Sequence, residues 1–156
     1  MSNSLPRASG SPAEWLRYAR SDLAAAQGLQ TDPKVLPNQV VFHAQQAAEK
    51  AIKGAMLQRR IPFPKTHDLK ELATIWTGAG QVWPAELEDA KTLSPYALET
   101  RYPGYLQKVT RGDARAAIET AKKVVAWAEA ILSPSPAASA RRSRQAARMR
   151  KPIAKR

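Results

Sequence analysis

An all-α, up-and-down bundle of about five helices is the fold this sequence predicts, on three observations. Apolar residues recur at intervals of three and four in several long segments. Proline clusters and paired glycines separate those segments. No stretch alternates apolar and polar residues as a half-buried strand would. At 156 residues, 44% of them hydrophobic, the chain has room for one domain with a real core.

Each element has its own justification. Residues 1–10 are Ser-, Pro- and Gly-rich with little to bury, which predicts a disordered N-terminus. Ser11-Pro12-Ala13-Glu14 has capping-box spacing, with Pro12 at the first helical position, so a first helix opens there. Its apolar stripe is Trp15, Ala19, Leu23 and Ala26, and it stops near Gln30, ahead of Pro33 and Pro37. A second helix is expected from Pro37 to about Arg59, because Pro62 and Pro64 forbid its continuation. Thr66 is placed to cap a third, with Leu69, Leu72, Ala73 and Trp76 buried and Gly78 and Gly80 as its stop. A fourth starts near Pro84 with Leu87, Ala90 and Leu93, and Pro95 breaks or kinks it. The aromatic, Pro/Gly-marked run from Tyr96 to Tyr105 reads as irregular. Asp113 then caps a final helix whose shared face is Ala117, Ala121, Val124, Ala128 and Ile131. The bundle therefore spans residues 11–132, and 133–156 reads as a basic disordered tail.

Bulk properties exclude several classes of function. Cysteine is absent, so disulfides, thiolate metal ligands and Cys nucleophiles are ruled out and a reducing compartment is expected. No apolar run resembles a signal peptide or could cross a bilayer, which predicts a soluble, cytoplasmic protein without membrane partners. The net charge of +12 is concentrated at the end: residues 133–156 hold eight Lys or Arg and no acid, leaving +4 for the rest. Such a tail attracts polyanions, nucleic acid first, or serves as a solubilising extension.

Among residues that carry chemistry, a metal site is not expected: His43 and His67 are a helix apart and lie in no ligand-type spacing. No cofactor is implied, because no glycine cluster forms a phosphate-binding loop. His43 reads as a hydrogen-bonded, partly buried side chain. His67 is expected in the first turn of the third helix, where outward N–H groups would act on its ring. There it is either a general base or a brace for the turn. Arg60, beside Arg59, is a candidate phosphodiester clamp, and the pair supplies what metal-free RNA cleavage needs: a base for the ribose 2′-OH and a cation for the phosphorane. Lys65 adds a cation to the same turn. Arg101 and Tyr102 form a second candidate patch that binds phosphate and stacks a base, or else Tyr96, Tyr102 and Tyr105 pin the loop. The four tryptophans read as core or interface anchors.

Taken in order, F-x-x-Q-Q-A-A-E-K-A-I-K from Phe42 to Lys53, P-K-T-H-D-L from Pro64 to Leu69, and R-Y-P from Arg101 to Pro103, followed by an Ala-rich last helix, resemble the HEPN domain over about residues 12–132. The resemblance implies a small helical bundle that dimerises. It also implies a minimal nucleotidyltransferase as partner in a toxin–antitoxin-like pair, with nucleotide or RNA binding at Lys65, Arg101 and Tyr102. Its alternative is a metal-independent endoribonuclease toxin, since nuclease members carry R-x4–6-H composed at a dimer interface, and Arg60 to His67 meets that spacing. Ile61 departs from the polar residue that nuclease members favour after the Arg.

Overall fold

In the computed structural model, residues 10–97, 103, 108–134 and 136–150 are described. Helix α1 spans Pro12–Gln30, α2 Pro37–Gln58, α3 Leu69–Gly78, α4 Arg111–Leu132 and α5 Pro136–Met149; a 3-10 segment occupies Ala85–Ala97. Among the described residues there are no strands. The all-α bundle expected from the sequence is present.

Helix α2 is the axis. It packs against α1, α3, α4 and the 3-10 segment, and Val40, Val41, Ala44, Ala47, Ala48, Ala51, Ile52, Ala55 and Met56 are all buried along it. A helix buried nearly all round needs small side chains where neighbours cross, and the alanines provide them. Gly54 marks a close approach: a Cβ there would stand 3.2 Å from Trp15 Cβ and 3.4 Å from the Pro12 carbonyl oxygen. Trp15 beside Gly54, and Asp22 bonded to both His43 and Lys50, show that α1 and α2 run antiparallel. Arg20 Nε meets Glu129 Oε1 at 2.8 Å, and an Arg111 guanidinium nitrogen donates to the Pro33 carbonyl at 3.1 Å, so α1 and α4 are antiparallel too. Helices α2 and α4 thus both run opposite to α1 and parallel to one another.

Helix starts follow local chemistry. Ser11 and Glu14 close the expected capping box on α1. Glu14 is held below the usual carboxylate range, first by the Ser11 backbone N–H and then by its hydroxyl. On α4 the cap is Thr110, and Asp113 is the third helical residue reaching back to the Thr110 N–H at 2.9 Å. The sequence misassigned Asp113 by three places because a capping box puts an acceptor at each end of the same motif. On α3 the cap is Asp68, which accepts from the Lys70 N–H at 2.9 Å. Thr66 instead accepts from the Asp68 N–H at 3.1 Å and donates to Glu71 Oε2 at 2.6 Å.

Two other elements differ from expectation. The fourth helix is a 3-10 segment that continues through Pro95 to Ala97, with Leu87, Ala90 and Leu93 buried. In the stretch expected as a disordered tail, Pro136–Met149 is helical, which its Ala- and Arg-rich composition favours. Trp76, Trp83 and Trp127 form an edge-to-face cluster, with ring centroids 4.9 Å and 5.7 Å apart on either side of Trp127.

The close approach at residue 54 sets a prediction. Gly54→Leu should cost about 2 kcal/mol or more of unfolding free energy in a urea titration, because Pro12 backbone cannot yield as a side chain would. Gly28→Ala, where a Cβ meets nothing within 4 Å, should instead be stabilising by about 0.5–1 kcal/mol.

Candidate functional site

The chain between α2 and α3 is irregular and carries Pro62 and Pro64, so its backbone groups must find partners outside regular structure. Side chains of α2 supply two of them. Lys53 Nζ donates to the Thr66 carbonyl at 2.7 Å, and Gln45 Nε2 donates to the His67 carbonyl at 3.1 Å. Between these two donors sits Glu49, whose side chain is only 5% exposed. Its carboxylate takes Lys53 Nζ at 2.8 Å, Gln45 Nε2 at 3.1 Å, Gln46 Nε2 at 3.4 Å and His67 Nδ1 at 3.1 Å. Lys53 in turn lies 5.9 Å from the Trp15 ring centroid and 5.6 Å from that of Phe63, so the pair is roofed by aromatic faces.

That arrangement fixes the chemistry of His67. An ionised carboxylate only accepts, so Nδ1 carries the hydrogen and donates to Glu49. In the neutral ring Nε2 then keeps its lone pair, and the side chain is 56% exposed. A neutral ring that donates one nitrogen to a carboxylate can accept a proton at the other, which is the chemistry of a general base. His67 lies two residues ahead of Leu69, the first residue of α3, and not within its first turn. The influence on its ring is therefore Glu49 rather than helix amides.

Arg60 is placed by the end of α2. Its N–H donates to the Leu57 carbonyl at 3.0 Å, and the Ile61 N–H donates to the Met56 carbonyl at 2.9 Å. These two bonds are the Schellman pattern, in which the residue after the cap adopts a left-handed conformation. Arg60 has φ of 58°, the one non-glycine residue with positive φ among the described residues. The same pattern ends α3, where Gly80 fills the left-handed position with φ of 84°. Arg60 is exposed, and among the described residues its side chain has no ion-pair partner. Ile61 is 7% exposed: it is the apolar residue that closes the motif against the core. The departure at residue 61 thus has a packing reason.

Of the other predicted residues, Lys65 is exposed on the same turn. Arg101 and Tyr102 lie outside the described residues. His43 is partly buried, with Nδ1 3.1 Å from Asp22 Oδ1, while Lys50 Nζ meets Asp22 Oδ2 at 2.5 Å. A shallow hollow beside α1, lined by Gly10, Glu14, Trp15, Tyr18 and Lys50, contains none of the predicted site residues. Among the described residues no cluster of His, Asp and Glu could hold a metal ion, and no helix is long and apolar enough to cross a membrane. Sequence reasoning missed Glu49 as the partner of His67 because the polar stripe of α2 reads as a solvated face. Gln45, Glu49 and Lys53 are buried instead. Their spacing at i, i+4 and i+8, each directly after one of the apolar residues Ala44, Ala48 and Ile52, was the available sign.

The model of the HEPN domain family matches residues 12–131. A solved structure described as an archaeal HEPN homologue has the same fold, with a TM-score of 0.65 at 22% identity, covering 80% of this chain and all of that one. No curated protein matches.

Two variants test the site's construction. Glu49→Ala leaves Lys53 buried without its counter-ion and should lower stability by about 3 kcal/mol; replacing both, Glu49→Leu with Lys53→Met, should cost distinctly less. Arg60→Gly should leave stability unchanged or raise it by up to about 1 kcal/mol in the same titration, because glycine adopts the left-handed conformation without steric cost.

Proposed function

Since this chain belongs to the HEPN domain family, we propose that it is a metal-independent endoribonuclease in which His67 is the general base and Arg60 the phosphate clamp. The observation that carries this reading is the bond from His67 Nδ1 to the buried Glu49 carboxylate, 3.1 Å to each oxygen, on a side chain that is itself 56% exposed. Nε2 takes the proton of a ribose 2′-OH, and the 2′-oxygen attacks the adjacent phosphorus. The bond to the 5′-oxygen breaks, and that oxygen leaves with a proton drawn from water. The products are a 2′,3′-cyclic phosphate and a 5′-hydroxyl. Glu49 orients the ring and stabilises the imidazolium that forms, without reacting itself. Arg60 neutralises charge growing on the equatorial oxygens.

The left-handed conformation supports the role of Arg60. A non-glycine residue there carries strain of about 1 kcal/mol, and the equivalent turn after α3 uses Gly80. Strain at an exposed cation is an observation from which a functional role is inferred. Lys65 on the same turn, and Arg101 with Tyr102, are the further contacts for RNA. Both halves of the site reach one phosphate within a chain or across the twofold of a homodimer.

A second reading is a noncatalytic partner of a minimal nucleotidyltransferase in a toxin–antitoxin-like pair, with nucleotide or RNA binding. It is favoured by the other uses of Glu49, which with Lys53 and Gln45 braces the turn whether or not His67 reacts.

The experiment is incubation of the purified protein with RNA in EDTA, with end-group analysis of the products. Cyclic phosphate ends are expected, with a loss of about 100-fold or more in rate for His67→Ala. Arg60→Gly, which keeps the turn, should also lose activity without losing stability. Undiminished cleavage by the His67→Ala protein would remove His67 from the mechanism. Absence of cleavage, together with copurification of a small nucleotidyltransferase, would support the second reading.

A further inference from the structure

Helix α5 stands apart from the bundle. Among the described residues it touches no other element, and every residue from 140 to 150 is exposed. Successive residues of an α-helix turn by about 100°, which places Arg141, Arg144 and Arg148 within an arc of about 60° and spreads them over about 10 Å of axis. Gln145 borders this strip on one side and Ala147 on the other, Ser143 and Ala146 lie behind it, and Arg142 falls outside the strip. No acidic residue occurs anywhere in 133–156, and no ion pair among the described residues involves these arginines.

We propose that α5 is a cationic arm that docks along the phosphate backbone of double-stranded RNA, independently of Arg60 and His67. Three guanidiniums on one face present paired N–H donors to phosphate oxygens, which guanidinium binds in bidentate fashion. A duplex offers phosphates at regular, close spacing along both strands and is recognised largely by shape and backbone. Unpaired strands are held by stacking bases on aromatic rings, and residues 133–156 contain no aromatic side chain. A lipid surface requires a bulky apolar face opposite the charge, and Ser143, Ala146 and Ala147 do not form one. Helix α5 carries four arginines and no acid in 14 residues, a net charge equal to the +4 that residues 1–132 spread over the whole bundle, so its local field on an approaching polyanion is the denser one.

The test uses the full-length chain carrying His67→Ala, so that binding is read in a protein that consumes no RNA. Affinity for a mixed-sequence RNA duplex of about 20 base pairs is measured by anisotropy across a potassium chloride series. The triple variant Arg141→Gln, Arg144→Gln, Arg148→Gln should bind at least tenfold more weakly at low salt. Its plot of log affinity against log salt should be shallower by about 2.7, the value for three lost phosphate contacts. Because α5 touches nothing in the bundle, thermal melting of the variant should match that of the parent. Equal affinity and equal slope for parent and variant would overturn the proposal. So would polyuridine of the same length binding as tightly as the duplex, or polyglutamate displacing the duplex at equal charge concentration. Failure here leaves RNA cleavage by the bundle untouched, and failure of cleavage leaves the arm's binding measurable.

Discussion

The carboxylate of Glu49 is the constraint on which the rest of this structure depends. Taking an ion out of water costs several kcal/mol unless partners replace the lost solvation. Here the partners are a lysine, two glutamine amides and an imidazole. Two of those partners also act beyond the carboxylate, since Lys53 and Gln45 satisfy the carbonyls of Thr66 and His67. The turn after α2 therefore has no regular backbone ladder and needs none. Its conformation is written into the side chains of the preceding helix, four residues apart.

That wiring decides how the bundle closes. With α2 buried almost all round, the approach of α1 is set by Gly54 and by the Trp15 indole. Trp15 meets Phe63 edge-on at 6.1 Å, so the N-terminal helix covers the very turn that Lys53 and Glu49 hold from beneath. The polar network is covered on one side by aromatic rings, and its most exposed member is the His67 ring. A low-dielectric surround strengthens each hydrogen bond to the carboxylate.

Much of the fold was legible in the sequence because its helices are delimited by prolines and glycines that act locally. Pro12, Pro37 and Gly80 fall where a rule about backbone geometry puts them. Caps were less legible. Thr66 and Asp68, like Thr110 and Asp113, are both capping residue types, and only three-dimensional hydrogen bonding shows which member of each pair sits at the cap. The 3-10 segment was read as an α-helix because i, i+3 burial of Leu87, Ala90 and Leu93 suits either helix. Half of the candidate site, Arg60 and His67, was visible as residue types at a spacing. Glu49 was not, since a charged residue in a run of polar side chains reads as solvated until a neighbouring turn is known to fold over it.

Residue 61 shows how the two levels of reading join. Set against a motif that favours a polar residue after the arginine, Ile61 reads as a departure. Set against the end of α2, it is the residue whose N–H returns to Met56 and whose side chain is drawn into the core. A Schellman turn asks for an apolar residue at that place and a left-handed one just before it. The left-handed place is where glycine would fit without strain, and α3 ends in that way at Gly80. An arginine at residue 60 thus gives up the easier conformation to hold a guanidinium outside the turn. Ile61 then reports how the helix is stopped, and Arg60 is the exposed residue that the stop carries in its left-handed place.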